Sequence, residues 1–201
     1  MTTTRARAIG LAATGALLIT QACLGDGAAS AQTSAASGSA LPPLPASHAS
    51  AHVVQRQPAP GSCRARGTGR FSKPDPRCTP GAIDPAVRQS NIGATICRSG
   101  YTRTVRPPES ITYREKRASM AAYGDGTSTS EYEYDHLVPL ELGGAANDPR
   151  NLWPEPGGTP NPKDSLENRL HRLVCAGSLR LSTAQRLIAR DWVGLYRQTF
   201  A

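Results

Sequence analysis

Aromatic residues are scarce in this chain. Phe, Trp and Tyr make up 5% of its 201 residues, and only Phe71 precedes residue 100. That excludes an aromatic core over the first half of the chain. With 17 Pro and 19 Gly interrupting it as well, the foldable part is expected to be one compact domain of roughly 120 residues behind a long tail. No apolar run approaches the ~20 residues that a membrane-spanning helix needs, so no span is expected. There is no C-x-x-C pair, which argues against structural zinc. No internal repeat is visible.

Five cysteines are an awkward number for an exported protein, and export is what the N-terminus predicts. Arg5 and Arg7 give a positive start, Ala8 to Thr20 is almost entirely small or apolar, and Ala29-Ser30-Ala31 supplies a small-x-small cleavage pattern. Cys23 after Ala22 offers a lipid-anchor alternative, but Thr20 and Gln21 suit a lipobox poorly. Cleavage after residue 31 removes Cys23. It leaves Cys63, Cys78, Cys97 and Cys175, an even set for which two disulfides are expected in an oxidising compartment. Four cysteines allow three pairings, of which Cys63–Cys78 with Cys97–Cys175 is preferred.

Charge of one sign is in excess. The chain carries +8, and losing Arg5, Arg7 and Asp26 with the leader leaves 21 basic against 14 acidic residues, a net +7. Such an excess favours polyanionic partners through steering and phosphate contacts.

The sequence divides into a signal peptide (1–31), a disordered Ala/Ser/Pro/Arg-rich linker (32–75) and a domain (76–201). The linker has too little apolar surface to offset its ordering entropy, and His48 and His52 read as solvated there. Ile92 to Val105, with β-branched residues and Gly breaks, predicts one or two short strands. Ser110 to Tyr123 predicts a surface helix closed by Gly124. Glu131 to Leu142 alternates like a strand, Gly143-Gly144 breaks it, and Asn151-Leu152-Trp153 predicts a short return strand ending at Pro154. Asn161 is expected to cap a helix with Pro162 in its first position and Leu166, Leu170, Leu173 and Val174 as its apolar stripe. A last helix is expected to open with the capping box Ser182-Thr183-Ala184-Gln185 and to bury Leu187, Ile188, Trp192, Leu195 and Tyr196. The fold class is therefore α+β, disulfide-stapled, with a strand–loop–strand–helix unit flanked by helices.

Polar residues sit at particular points of that unit: Asp135-His136 on the first strand, Asn151 at the second, Asp164 and Asn168 on the helix. Phosphodiester cleavage needs a base to deprotonate water, a hard cation to neutralise the phosphate, and a group that aims the base. His136 is the histidine of the unit, and neutral imidazole is the usual base near neutral pH. Asp135 would be an oxygen ligand for Mg²⁺ or a similar ion. In a regular strand it points away from His136, so a bulge or twist is expected. Asp164 and Asn168 are four apart and share a helical face, roughly opposite Leu170 and Leu173.

Asp135-His136, with Asn151 fifteen residues after His136 and a helix of ligand-type residues beyond, resembles the HNH (ββα-metal) branch of the His-Me finger nucleases, which includes the colicin DNases. The string DHLVPLELGGAANDPRNLWPEP, with Lys163-Asp164 and Glu167-Asn168 following, is similar to exported bacterial proteins described as HNH-type. The close match covers about residues 131–175. The resemblance implies Asp135 as metal ligand, His136 as general base, Asn151 as the residue that holds the hairpin, and Asp164 with Asn168 as helical ligands. The motif's final histidine is absent, so an acid or amide must replace it. That favours Mg²⁺, Mn²⁺ or Ca²⁺ over Zn²⁺. Arg150, Lys163, Arg169 and Arg172 are the expected phosphate contacts, with little sequence preference.

Simpler readings exist for several of these residues. Asp164 stands at N3, where an acid favours the cap and the helix dipole. Asn168 fits a solvated helix position, Glu141 a turn, His171 the surface, and Trp153 and Trp192 the core. Two functions follow: an exported, metal-dependent endonuclease acting on DNA or RNA, or a catalytically silent module of the same kind that binds nucleic acid or another acidic polymer.

Overall fold

The computed structural model describes residues 41–126 and 128–200. The leader residues named above, Cys23 and the start of the linker lie outside them. Four α-helices and one hairpin form the unit: α1 Tyr101–Val105, α2 Glu109–Tyr123, β1 Tyr132–His136, β2 Leu152–Pro156, α3 Pro162–Cys175 and α4 Leu181–Phe200. Among the described residues the fold is mixed α and β, and its sheet is one antiparallel pair. The two expected disulfides are Cys63–Cys78 and Cys97–Cys175. Among the described residues no helix is long and apolar enough to cross a membrane.

The main core gathers Leu137, Val138 and Leu142 from the hairpin loop, Leu166, Leu170 and Val174 from α3, and Leu181, Ile188, Trp192 and Val193 from α4. A smaller cluster joins Cys63, Ala122, Tyr123 and Trp153, where α2 lies against β2. Helix α3 starts where its caps dictate. The Asn161 Oδ1 accepts from Lys163 N (2.8 Å) and Asp164 N (3.2 Å), Asp164 Oδ2 accepts from Asn161 N (2.8 Å), and Pro162 fills the first helical position.

Four expectations need correction. Ile92 to Val105 contains no strand. It forms a 3-10 turn over Gln89–Ala94 and then α1, with Ile92 and Ile96 packed into the main core; β-branching here serves packing, not pairing. Secondly, α4 begins at Leu181 without the Ser182 box, because Gln185 is buried and donates to Leu142 O (2.8 Å) instead of reaching back. Asp191 is non-helical (φ −160°, ψ 74°) and divides α4, its Oδ1 accepting from Gly194 N at 3.2 Å. Thirdly, β1 pairs without interruption from Tyr132↔Pro156 to His136↔Leu152, so the expected bulge is not there.

The fourth concerns the linker. The ordered unit does not start near residue 76: residues 41–75 are part of it. Ser47 N donates to Ile83 O (2.8 Å), Asn147 Nδ2 donates to Ser50 O (2.8 Å) and Val53 O (2.9 Å), and Gln55 N donates to Glu115 Oε1 (2.6 Å). Backbone hydrogen bonds to buried polar side chains, together with Cys63–Cys78, supply the order that the sparse apolar side chains cannot.

The Cys97–Cys175 bridge closes the longer loop, with a sequence separation of 78. Replacing both cysteines by serine is expected to lower the unfolding free energy by about 4 kcal/mol, read from the urea midpoint. The corresponding change at Cys63 and Cys78 should cost less, in keeping with their separation of 15.

Candidate functional site

The end of β1 carries Asp135 and His136, each 8% exposed, and the unbroken pairing turns their side chains to opposite faces. Two arrangements result, one around each residue.

On the imidazole side, His136 Nε2 lies 3.0 Å from Ala146 O. A carbonyl only accepts, so Nε2 carries the hydrogen and Nδ1 keeps the lone pair. Burial pushes this imidazole down to about 4, with Arg106 and Lys163 adding to the fall and the Ala146 carbonyl and Asp135 opposing it. The ring is therefore neutral at pH 7. A cleft of about 230 Å³, lined by His52, Arg106, Ala145 and Ala146 among others, opens beside that carbonyl.

The loop that delivers Ala146 is closed by Asn151, which is fully buried. Its Oδ1 accepts from Val138 N (2.9 Å) and Ala82 N (3.4 Å), and its Nδ2 donates to Val138 O (2.9 Å) and Ala145 O (3.0 Å). The backbone then passes so close that a Cβ on Gly144 would meet Val138 O at 1.8 Å. Asn151 thus ties the loop of the hairpin together, next to the Ala146 carbonyl that meets His136.

On the carboxylate side the partner is Lys163, 1% exposed. Its Nζ stands 2.8 Å from Asp135 Oδ2, pairs with Glu167 Oε1 and donates to His136 O at 2.7 Å. Burial works against that charge, but Asp135, Glu167 and Glu155 override it and raise the ammonium above its ordinary range. Glu155 is 1% exposed and neither of its carboxyl oxygens has a hydrogen-bond partner. Burial first, then the charge of Asp135, pushes Glu155 up to about 10, and burial pushes Glu167 up to about 8 against the pull of Lys163. Glu133, opposite Glu155 in the hairpin, is raised too by burial, and its Oε2 accepts from Asn161 Nδ2 and Thr159 Oγ1, both at 3.1 Å.

The helix therefore presents positions 163 and 167 to the hairpin, not 164 and 168. Asp164 turns one oxygen back to Asn161 N, while exposed Asn168 donates to Asp164 O (2.8 Å). The rotation of α3 follows from its buried residues, Lys163, Leu166, Leu170 and Val174, which lie on one side. Leucines and hairpin-facing polar groups share that side; Leu173 is outside the buried set. The donors Asp135, Asp164 and Asn168 do not converge. The place beside Asp135 is held by the Lys163 ammonium, so this set does not fit a divalent ion.

The expected phosphate contacts divide similarly. Lys163 is buried and cannot serve as one. Arg150 is engaged by Asp148 (Nη2 to Oδ2 2.6 Å, Nε to Oδ1 3.0 Å) and donates to Ala46 O at 3.3 Å. Arg169 and Arg172 are exposed on α3. Sequence reasoning missed Glu155, Glu167 and Arg106. The four-residue spacing of Lys163 and Glu167 was an available signal for a helical ion pair. Among the described residues, Cys97, His171 and Cys175 bring ligand atoms within 4.8 Å of one another, but the two sulfurs are bonded to each other. His171 is half-buried, with Nε2 2.9 Å from Ile96 O and Nδ1 3.9 Å from Glu141 Oε2.

No protein-family model, curated protein or solved structure matches the chain.

Two measurements follow. Asn151→Ala orphans buried backbone groups on both sides of the loop and should cost about 3 kcal/mol or more in a urea titration. The second concerns pH. The folded-state value of His136 lies below that of the unfolded chain, so its contribution is complete above 6.5 and is lost as pH falls towards about 4. Wild-type stability in EDTA should drop across that window by about 3 kcal/mol more than that of His136→Gln.

Proposed function

We propose that the hairpin and α3 form a phosphodiester-hydrolysing centre of the HNH kind, with His136 as general base, in an exported protein acting on nucleic acid. The observation that carries this reading is the state of His136: neutral, with Nε2–H held by Ala146 O on a loop closed by Asn151. A neutral imidazole with one nitrogen anchored and the other bearing its lone pair has the form of a general base, and its burial lowers its basicity in the free protein.

In the hydrolysis, Nδ1 takes a proton from water and the resulting hydroxide forms the new bond to phosphorus. The bond from phosphorus to the 3′ oxygen breaks opposite it. That oxygen takes a proton from solvent and leaves as the 3′-hydroxyl of the upstream fragment, and the phosphate stays on the 5′ oxygen of the downstream fragment. Arg106, at the cleft beside Ala146, and exposed Arg169 and Arg172 are the cationic groups suited to hold backbone phosphates. Contacts of that type read charge and not base identity, so little sequence preference is expected. Two disulfides suit an oxidising, extracytoplasmic setting.

A second reading is a catalytically silent module that binds nucleic acid through the same arginines. It is favoured by the shelter of Asp135 and His136, each 8% exposed.

Plasmid DNA and RNA incubated with the disulfide-bonded protein, in Mg²⁺, Mn²⁺, Ca²⁺ or EDTA, separate the two. Cleavage that falls by about 10²-fold or more in His136→Ala is the expected result. Intact substrates in every condition, from protein shown to be folded, would leave the binding module. Equal cleavage by His136→Ala would remove His136 from the chemistry.

A further inference from the structure

We propose that Lys163 is the resident cation of the carboxylate cluster, an ammonium in the place beside Asp135 that a divalent ion would take in a centre of this kind. The comparison with an ion-bearing centre rests on the reading above; the placement of Lys163 does not.

The first support is the set of partners. Lys163 Nζ faces three oxygens: it donates to Glu167 Oε1 one turn along α3 and to the main-chain carbonyl of His136, and it forms an ion pair with Asp135 Oδ2 on β1. Carboxylates and a carbonyl are the donors that a hard cation such as Mg²⁺ or Ca²⁺ selects. Lys163 therefore holds the oxygens from which such a site would be assembled.

The second support is immobility. Lys163 is 1% exposed, and its main-chain N–H is tied to the Asn161 cap, so the side chain starts from a fixed point in the first turn of α3. Swinging the ammonium out would leave the buried Asp135 carboxylate without its counter-charge, which is costly. Keeping it while admitting an ion would set like charges a few ångströms apart in a sheltered place. The two cations exclude each other. The third support is that neither Asp164 nor Asn168 reaches this point to offer an ion a different seat.

Lys163 also joins the two halves of the site. The same nitrogen that neutralises Asp135 donates to the carbonyl of His136, so one side chain fixes the strand end from which the imidazole projects. It acts as a positioning residue and touches no substrate in this scheme.

The test reads ion binding and not activity. Mn²⁺ is titrated into the disulfide-bonded wild type, Lys163→Met, Lys163→Arg and Asp135→Asn, followed by calorimetry and by the paramagnetic signal of the free ion. Wild type and Lys163→Arg are expected to lack any Mn²⁺ site that depends on Asp135. Lys163→Met, which strips the charge and frees the oxygens, is expected to bind one Mn²⁺ at least roughly tenfold more tightly and to melt higher with the ion than without it. Saturable Mn²⁺ binding to the wild type that Asp135→Asn abolishes overturns the proposal whether or not the Lys163 variants fold. Folded Lys163→Met that binds no better than wild type overturns it as well. A wild type without nuclease activity leaves these readings intact, so the two ideas fail separately.

Discussion

The carboxamide of Asn151 closes the neck of the loop between the two strands, and the geometry of the site follows from that closure. With both its oxygen and its nitrogen bonded to the loop backbone, residues 138 and 145 are drawn together. Gly144 permits this because no side chain could stand between them. The next residue, Ala146, then offers its carbonyl to His136. Removing water from the imidazole makes it neutral, and the carbonyl selects which nitrogen is protonated. Tautomer and direction thus descend from one buried amide, and the charge state from burial.

Local signals carried the parts of this arrangement that lie close together in the chain. The helix over residues 110–123 appears as Glu109–Tyr123, and the start of α3 is where Asn161 and Pro162 mark it. Caps and prolines act within a few residues, so sequence expresses them directly. Asp135, His136 and Asn151 were also legible, because a hairpin brings its own ends together. What was not legible depends on distant partners. The stretch 92–105 has strand-like composition, but no strand lies beside it, and its apolar residues turn inward instead. The phase of α3 was misjudged by one residue. Treating Leu173 as core rotates the helix enough to exchange Lys163 and Glu167 for Asp164 and Asn168.

Lys163 illustrates why such a group escapes notice. In a sequence it reads as one more cation of a basic protein. Its position carries a physical oddity, since a lysine in the first helical turn stands at the positive end of the helix dipole. That placement needs compensation, and Asp135 and Glu167 provide it. Around the pair, Glu155 and Glu133 retain their protons more firmly than free carboxyls do. This limits the negative charge that one ammonium must balance.

The N-terminal arm holds its course by a different rule. Buried Asn147 and Glu115 grip the carbonyls of Ser50 and Val53 and the amide of Gln55, and Ser47 and Ile83 meet backbone to backbone. Every one of those contacts addresses the main chain, which all residues share. A segment held this way has freedom of composition and none of length. Its Ala, Ser and Val positions can exchange identities while the carbonyls stay within reach. Adding or removing one residue between the anchors shifts each of those groups by a peptide unit, ~3.5 Å, beyond the span of a hydrogen bond. Low complexity in the arm is therefore a sign of how it is recognised by its own domain, and its spacing is the part under constraint.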